Sequence, residues 1–356
     1  MGNLKVHDKL DIQAGGQAEV LDEFGSGGQG TVYKVSYNGK TYALKWYHPG
    51  VFKGKENDFY KNLENNISNG APTDAFLWPK AITKVYNDQF GYLMDVRPSG
   101  YEELTNFFVG GRKQKQARFK SFYALCTAAI NIIEAFRALH NNGYSYQDIN
   151  NGNFFINPEN GDVLICDNDN VSPFGTNLGI MGKQRWMAPE IVMGKNDPDK
   201  NSDRFSLAVV LFRLLFINHP LEGRYSTPPC MTKEAEQKYY GSAPIFVYDP
   251  STTENRPIPG TDHNLKLFWN VYPDYVKDAF TSAFSHDVMM KQKPRILEKE
   301  WMDIFIRLRT EIGRCPHCGQ ETFYTFNGSH DVSCIECGKK IPIANAVQLK
   351  STILPI

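Results

Sequence analysis

Short runs that alternate apolar and polar positions, separated by turn residues, fill the first hundred positions of the chain. Residues 18–24, 31–37, 41–47, 81–85 and 92–96 each read as a strand, with Asn38-Gly39 as a two-residue hairpin turn between the second and third. From about Glu102 the period changes. Phe122, Cys126, Ala129, Ile133 and Phe136 recur at spacings of four and three, which places them on one face of a helix. A second helix is expected over residues 296–312, with Trp301, Phe305, Leu308 and Ile312 on one face and Gly313 as its stop. Residues 223–260 are rich in Pro, Gly, Ser and Thr and read as a long insertion with only short elements. A strand-rich start and a helix-rich body predict two lobes.

Composition narrows the class. At 356 residues, with 41% hydrophobic and 13% aromatic residues, the chain is too long and too apolar for a disulfide miniprotein or for wholesale disorder. Lys+Arg and Asp+Glu both total 39, so nucleic acid or anionic lipid would have to be held by a local patch. No run reads as a membrane span: residues 205–217 are mostly apolar, but Ser206 and Arg213 interrupt them, and they read as a buried helix. Residues 1–6 lack a signal core, and Val6 stands where a myristoylation signal wants Ser or Thr, so a soluble cytoplasmic protein is expected. Seven cysteines, with Cys126, Cys166 and Cys230 scattered, argue against a disulfide framework.

Gly25-Ser26-Gly27-Gly28-Gln29-Gly30-Thr31-Val32 is a GxGxxGxV pattern, in which the missing Cβ atoms let backbone N–H groups approach phosphate oxygens. A dinucleotide fold would continue into a helix; here residues 31–35 continue as a strand, which favours a kinase-type loop. Fifteen residues after Gly30, Lys45 ends the apolar run Tyr42-Ala43-Leu44. Its functional reading is an ammonium held against the α- and β-phosphates by a helix carboxylate, for which Glu64 is preferred and Glu56 is the rival. Asp148 and Asn153 lie five apart, suited to a base for a hydroxyl nucleophile and a Mg²⁺ ligand. Fourteen residues beyond Asn153, the strand 163–166 delivers Asp167 as a second hard oxygen ligand.

Ala188-Pro189-Glu190, Asp203-Arg204-Phe205-Ser206 and Arg295 follow in an order and spacing that match three elements of the protein-kinase large lobe. Over about residues 15–312 the chain resembles the eukaryotic-like Ser/Thr protein kinases. The resemblance implies an α+β, bilobal protein-kinase fold, with a β-rich N-lobe over 15–96 and an α-rich C-lobe over 97–312. ATP and Mg²⁺ (or Mn²⁺) would sit in the cleft between them. Gly25, Ser26, Gly27, Gly28, Gln29, Gly30, Val32 and Ala43 would enclose the nucleotide with Lys45. Met94 would be the gatekeeper, with Asp95 and Val96 as hinge residues, and Asn153 and Asp167 would hold the metal. Glu190 and Arg295 would form an ion pair under the activation segment, and Asp203 would support the catalytic loop. Residues 76–79, 166–170, 219–223 and 244–250 are similar to a narrower group, the stand-alone bacterial kinases that end in a zinc ribbon. These are often encoded beside a metal-dependent Ser/Thr phosphatase and a von Willebrand A-domain protein.

The chain departs from the kinase pattern in three places. Gln147 replaces the Arg that usually pairs with a phosphorylated activation loop, so control by loop phosphorylation is not expected. Asn150 stands where a Lys usually touches the γ-phosphate, and Lys183 is the candidate substitute cation. Asp167-Asn168-Asp169 replaces DFG; Asp167 is read as the metal ligand, with Asp169 in an outer shell or capping a turn.

Cys315-Pro316-His317-Cys318-Gly319 and Cys334-Ile335-Glu336-Cys337-Gly338 complete the pattern. The C-x2-C-x15-C-x2-C spacing predicts a structural tetrathiolate Zn²⁺ site in a ribbon over 313–343, preceding a tail over 344–356 and suited to docking or folding rather than nucleic acid. His317 and His330 are expected on the surface. The basic stretch Arg112, Lys113, Lys115, Arg118 and Lys120 reads as a solvated helix entry, with docking of an acidic substrate as the alternative. The expected activity is Ser/Thr protein phosphorylation. A pseudokinase scaffold, motivated by Gln147, Asn150 and the missing Phe of Asp167-Asn168-Asp169, and a small-molecule kinase, against which residues 188–190 and Arg295 argue, are the other readings.

Overall fold

The computed structural model describes residues 4–108, 116–324, 331–334 and 336–342, so Arg112, Lys113, Lys115, His330 and the tail lie outside the described residues. The strands β1 (Lys9–Asp11), β2 (Gln17–Ser26), β3 (Gly30–Tyr37) and β4 (Lys40–Tyr47) form antiparallel hairpins. Asn38 and Gly39 turn β3 into β4 with φ of 49° and 74°, the left-handed pair that a two-residue hairpin needs. After α1 (Glu56–Asn69), β5 (Ala81–Ile82) and β6 (Gly91–Met94) complete one six-stranded sheet in the order β1-β2-β3-β4-β6-β5.

Alternation along β4 gives the sheet two dissimilar faces. Leu44 and Trp46 join Ile12, Val20, Val35 and Leu93 in one buried cluster, while Ala43 and Tyr47 join Phe59 and Leu63 of α1 in another. Lys45 therefore points toward α1 and the second lobe.

That lobe begins with β7 (Glu102–Glu103), α2 (Leu104–Phe108) and α3 (Phe122–Asn141), followed by β8 (Tyr144–Ser145), β9 (Phe154–Ile156), β10 (Val163–Ile165) and β11 (Ser172–Pro173). The Ser121 hydroxyl caps α3 by accepting from Ala124 N–H at 3.0 Å. The helices α4 (Pro189–Val192), α5 (Lys200–Phe216), α6 (Lys233–Gln237), α7 (His263–Trp269), α8 (Asp274–Ala283), α9 (His286–Met289) and α10 (Glu298–Thr310) complete it. One large apolar core joins α3, α5, α8 and α10. At 20 residues, α3 is long and apolar enough to cross a membrane, which the sequence reading had not singled out. One face of it lies in this core, where Cys126, Ala129, Ile132, Ile133 and Phe136 are all fully buried.

The chain then forms β12 (Ile312–Arg314), β13 (Glu321–Phe323), β14 (Asp331–Ser333) and β15 (Lys340–Pro342) as two small antiparallel pairs. Gly313 is not a helix stop: α10 ends at Thr310, and Gly313 lies within β12 opposite Thr322. Glycine is needed there for packing, because a Cβ would lie 2.0 Å from the Tyr324 ring.

Candidate functional site

The two lobes meet at a cleft of about 610 Å³ lined by Gly27–Gly30, Val32, Lys45, Asp148, Asn150, Asn153, Asp167 and residues 179–183. The glycine loop is the β2–β3 turn. Gly27 N–H donates to Gly30 O at 2.9 Å, and His48 N–H donates to Gln29 O at 2.9 Å, tying the turn to the end of β4. A Cβ on Gly30 would come within 2.4 Å of the Trp46 carbonyl oxygen, so only glycine allows β3 to start this close to β4.

On β4, Lys45 is 5% exposed. Its three ammonium protons have three sets of acceptors: Asp169 at 3.0 Å, Asp167 at 3.2 Å and the Gln29 side-chain oxygen at 3.0 Å. Burial alone would lower the Lys45 pKa, but the two carboxylates outweigh it and hold the ammonium above its ordinary value. Asp169 is itself 1% exposed and accepts from Tyr47 Oη at 2.6 Å and Tyr92 Oη at 3.1 Å. These tyrosines belong to the same sheet face: Tyr47 is two residues along β4, and Tyr92 is the cross-strand partner of Lys45 on β6. Burial, reinforced by Asp169, pushes both phenols well up, so both remain donors.

Glu64 does not pair with Lys45. Its carboxylate accepts from the Gln13 side chain, and the rival Glu56 accepts from Gly54 N–H at 3.3 Å. The reason is helical phase. Asn62 and Asn66 occupy the inner face of α1, and Glu64 lies about 200° around the helix from Asn62. The inner face contributes amides: Asn62 and Asn66 donate to Val171 O at 2.8 and 2.9 Å. They hold the backbone of the turn over Asn168–Asn170, whose three residues are buried. Asp167 begins that turn in the left-handed region, at φ 54°, and directs a 37% exposed side chain into the cleft.

In the loop between β8 and β9, Tyr146 and Gln147 N–H groups donate to Asp203 at 2.7 and 2.9 Å, with Gln147 held at φ 71°. The Gln147 side chain donates to Thr176 O at 2.7 Å, so it grips the following segment directly through its backbone. Asp148 Oδ1 is buried beside the cleft and has no hydrogen-bond partner among the described residues. Burial pushes this carboxyl up to about 6. Asn150 and Asn153 both donate to the Asp148 carbonyl, at 3.1 and 2.9 Å. The Asn153 amide nitrogen is thereby committed, leaving its oxygen as the group available to a cation. Lys183 lies at the cleft and donates to Asn151 at 2.9 Å.

Glu190 and Arg295 form a two-pronged pair at 2.7 and 2.9 Å, both buried, and Arg295 also donates to Asn201 O. Ala43 and Met94, cross-strand partners, pack with Val32 and Val96 above Leu164 and Cys166, giving the cleft an apolar inner end. Asp95 is half exposed and paired with Lys80 at 2.6 Å.

The four ribbon cysteines bring their sulfurs within 4.8 Å of one another. Cys315 to Cys337 is 3.8 Å and Cys318 to Cys334 is 3.7 Å. Zn–S bonds of about 2.3 Å directed tetrahedrally give sulfur separations of about 3.8 Å, so the set fits zinc. Each pair sits on the same turn: Gly319 N–H donates to Cys315 O at 2.8 Å and Gly338 N–H to Cys334 O at 2.9 Å, both glycines at positive φ. His317 is exposed and outside the sulfur cluster.

Sequence reasoning missed the association of Asp169 with Lys45 and the inward asparagines of α1. The signal for the first was the parity of Lys45 and Tyr47 on one strand. For the second there was none, because buried asparagine does not register in an apolar pattern.

Comparison with known proteins places a match to the protein kinase domain over residues 18–253. Curated relatives include a probable serine/threonine-protein kinase, kinX, of Dictyostelium discoideum, 26% identical over 210 residues that cover 55% of this chain and 18% of the relative. The serine/threonine-protein kinase SCH9 of Candida albicans is 26% identical over 200 residues, covering 53% of this chain and 24% of the relative. Stress-activated protein kinase alpha of Dictyostelium discoideum is 26% identical over 235 residues, covering 62% and 33%. The aligned region thus spans a third or less of the length of these relatives.

Proposed function

The chain belongs to the protein kinase domain family, and from that membership we propose that it transfers the γ-phosphate of ATP to Ser or Thr hydroxyls of a protein substrate. The observation that carries this reading is the convergence of Lys45, Asp148, Asn153 and Asp167 on one cleft under a glycine loop. Gly27–Gly30 would cover the phosphates with backbone N–H groups, and the apolar end formed by Val32, Ala43 and Met94 suits a purine ring, with Asp95 and Val96 beside it. Phosphate oxygens would displace Gln29 from the third proton of Lys45.

Asp167 and the Asn153 amide oxygen are the hard oxygen donors that would hold Mg²⁺, which when bound neutralises phosphate charge. Asp148, with its unpartnered buried oxygen, would orient the substrate hydroxyl and take its proton. Asn150 is absorbed into the loop through Asp148 O and Gly152 N–H, so the cation near the transferred group would be Lys183. The buried Glu190–Arg295 pair beneath the activation segment supports a protein rather than a small-molecule acceptor.

The finer reading follows the terminal cysteines. A zinc ribbon held by Cys315, Cys318, Cys334 and Cys337 supports assignment to the stand-alone bacterial kinases, working in the cytoplasm with a metal-dependent phosphatase and a von Willebrand A-domain protein as functional neighbours. Phosphoamino-acid analysis after incubation with labelled ATP·Mg²⁺ tests the acceptor. Label on phosphoserine or phosphothreonine is expected, and label found only on small molecules contradicts the proposal.

A further inference from the structure

Two carboxylates share the Lys45 ammonium, and their surroundings differ. Asp169 is held on every side: both of its oxygens lie within 3.1 Å of Lys45 Nζ, one accepts from Tyr47 and the other from Tyr92, and its side chain is 1% exposed. Asp167 meets Lys45 through one oxygen at 3.2 Å and opens to the cleft. Among the described residues the carboxylate partners of Lys45 are Asp167 and Asp169 and none comes from α1, where Glu56 and Glu64 are engaged elsewhere, Asp58 is exposed, and Asn62 and Asn66 face the site. The helix instead fixes the backbone that carries Asp169, with the Asn62 amide also 3.4 Å from the Asp169 carbonyl.

Building on the kinase reading above, we propose that Asp169 is the positioning residue for Lys45, in the part expected of a helix carboxylate, and that it thereby leaves Asp167 free for a divalent cation. The counterion and the metal ligand then lie two residues apart on one buried turn. The lysine-to-metal geometry is set within that turn and by the tyrosines of the sheet, rather than by the approach of a separate helix carboxylate. Removing the Asp169 charge leaves a buried ammonium whose remaining anionic partner is Asp167, so the lysine and the metal compete for the same carboxylate.

The test compares wild type, Asp169→Asn, Tyr92→Phe and Glu64→Gln. Calorimetric ADP binding is followed across a range of Mg²⁺ concentrations, with kcat and KM for ATP from autophosphorylation and thermal midpoints as the folding control. Asp169→Asn is expected to raise the Mg²⁺ concentration for half-maximal ADP binding by about tenfold and to lower kcat by about a hundredfold with a smaller change in KM. Tyr92→Phe, which keeps Asp169 but removes one of its donors, should shift the Mg²⁺ requirement in the same direction by about threefold. Glu64→Gln should stay within about twofold of wild type in both.

Wild-type behaviour in Asp169→Asn, or equal losses in Glu64→Gln and Asp169→Asn, overturns the proposal. If Asp169→Asn does not fold, an unchanged Mg²⁺ requirement in Tyr92→Phe overturns it. A wild type that binds ADP·Mg²⁺ without transferring phosphate contradicts the kinase reading, while the binding comparison still decides the role of Asp169. A wild type that binds no ADP at any Mg²⁺ concentration overturns both.

Discussion

The carboxylate of Glu321, on β13 just beyond the first cysteine knuckle, accepts the backbone N–H of Phe122 at 2.5 Å, at the first residue of α3. The ribbon therefore supplies an acidic group where α3 has orphan donors and the positive end of its dipole. Two residues on, Phe323 is 4% exposed and packs its ring 4.9 Å from Phe122 and 5.5 Å from Tyr272. The β12–β13 hairpin is thus part of the large-lobe core.

This junction makes metal removal a test of the whole domain. Chelating metal from the four-cysteine site is expected to lower the thermal midpoint of the large lobe, read by tryptophan fluorescence, because Phe323 of the hairpin and Trp301 of α10 belong to one apolar core. Phe323→Ala should destabilise the domain by about 3 kcal/mol in urea titration. An unchanged midpoint after verified metal loss would show that the ribbon is only appended.

The Glu190–Arg295 pair is 7% and 4% exposed, so neither charge has water to fall back on. Arg295→Ala is expected to cost about 3–5 kcal/mol in equilibrium unfolding, since it strands a buried carboxylate. The double variant Glu190→Ala, Arg295→Ala should be less destabilised than the sum of the two single variants, and strict additivity in the cycle would contradict direct pairing.

His140 gives stability a pH window. It sits with Nδ1 2.8 Å from Glu298 and Nε2 3.1 Å from Asp203, and donating to both requires the imidazolium; Arg204 also donates to Glu298 at 2.8 Å. Burial would lower the imidazole pKa, but the two carboxylates raise it above 6.5. Its contribution is therefore full below pH 6.5 and is lost as pH rises through the raised folded value. Burial would raise the Glu298 pKa, but hydrogen bonds from His140 and Arg204 bring it down to about 2. Its contribution is full above pH 4.5 and is lost as pH falls from there through about 2. Unfolding free energy measured against pH should decline on the alkaline side in wild type and lose that His140 component in His140→Gln. Parallel alkaline limbs would contradict a charged His140.

The two-lobed kinase fold was legible because strand alternation, the glycine loop and the ordered motifs of the large lobe agree with one another. The residues brought to the cleft were legible where backbone parity fixes direction, as for Lys45 on β4. They were misread where direction depends on helical phase with polar residues inside. Glu64 lies in the right stretch of chain, but the buried residues of α1 are Phe59, Asn62, Leu63 and Asn66, which turn it away from Lys45. Asp169 was given an outer role because its contacts come from residues more than 70 positions away, which no local pattern encodes. Gly313 was assigned to a helix end because the ring of Tyr324 that it accommodates lies across a hairpin.

In the proposed reaction Asp148 and Asp167 perform different parts of one phosphoryl transfer. Its most direct test is autophosphorylation with labelled ATP·Mg²⁺ by wild type, Asp148→Ala and Asp167→Ala, each checked for folding by its thermal midpoint. Incorporation is expected in wild type and reduced by at least about a hundredfold in both variants, with nucleotide binding retained in Asp148→Ala and weakened in Asp167→Ala. Equal incorporation by all three proteins would contradict both roles.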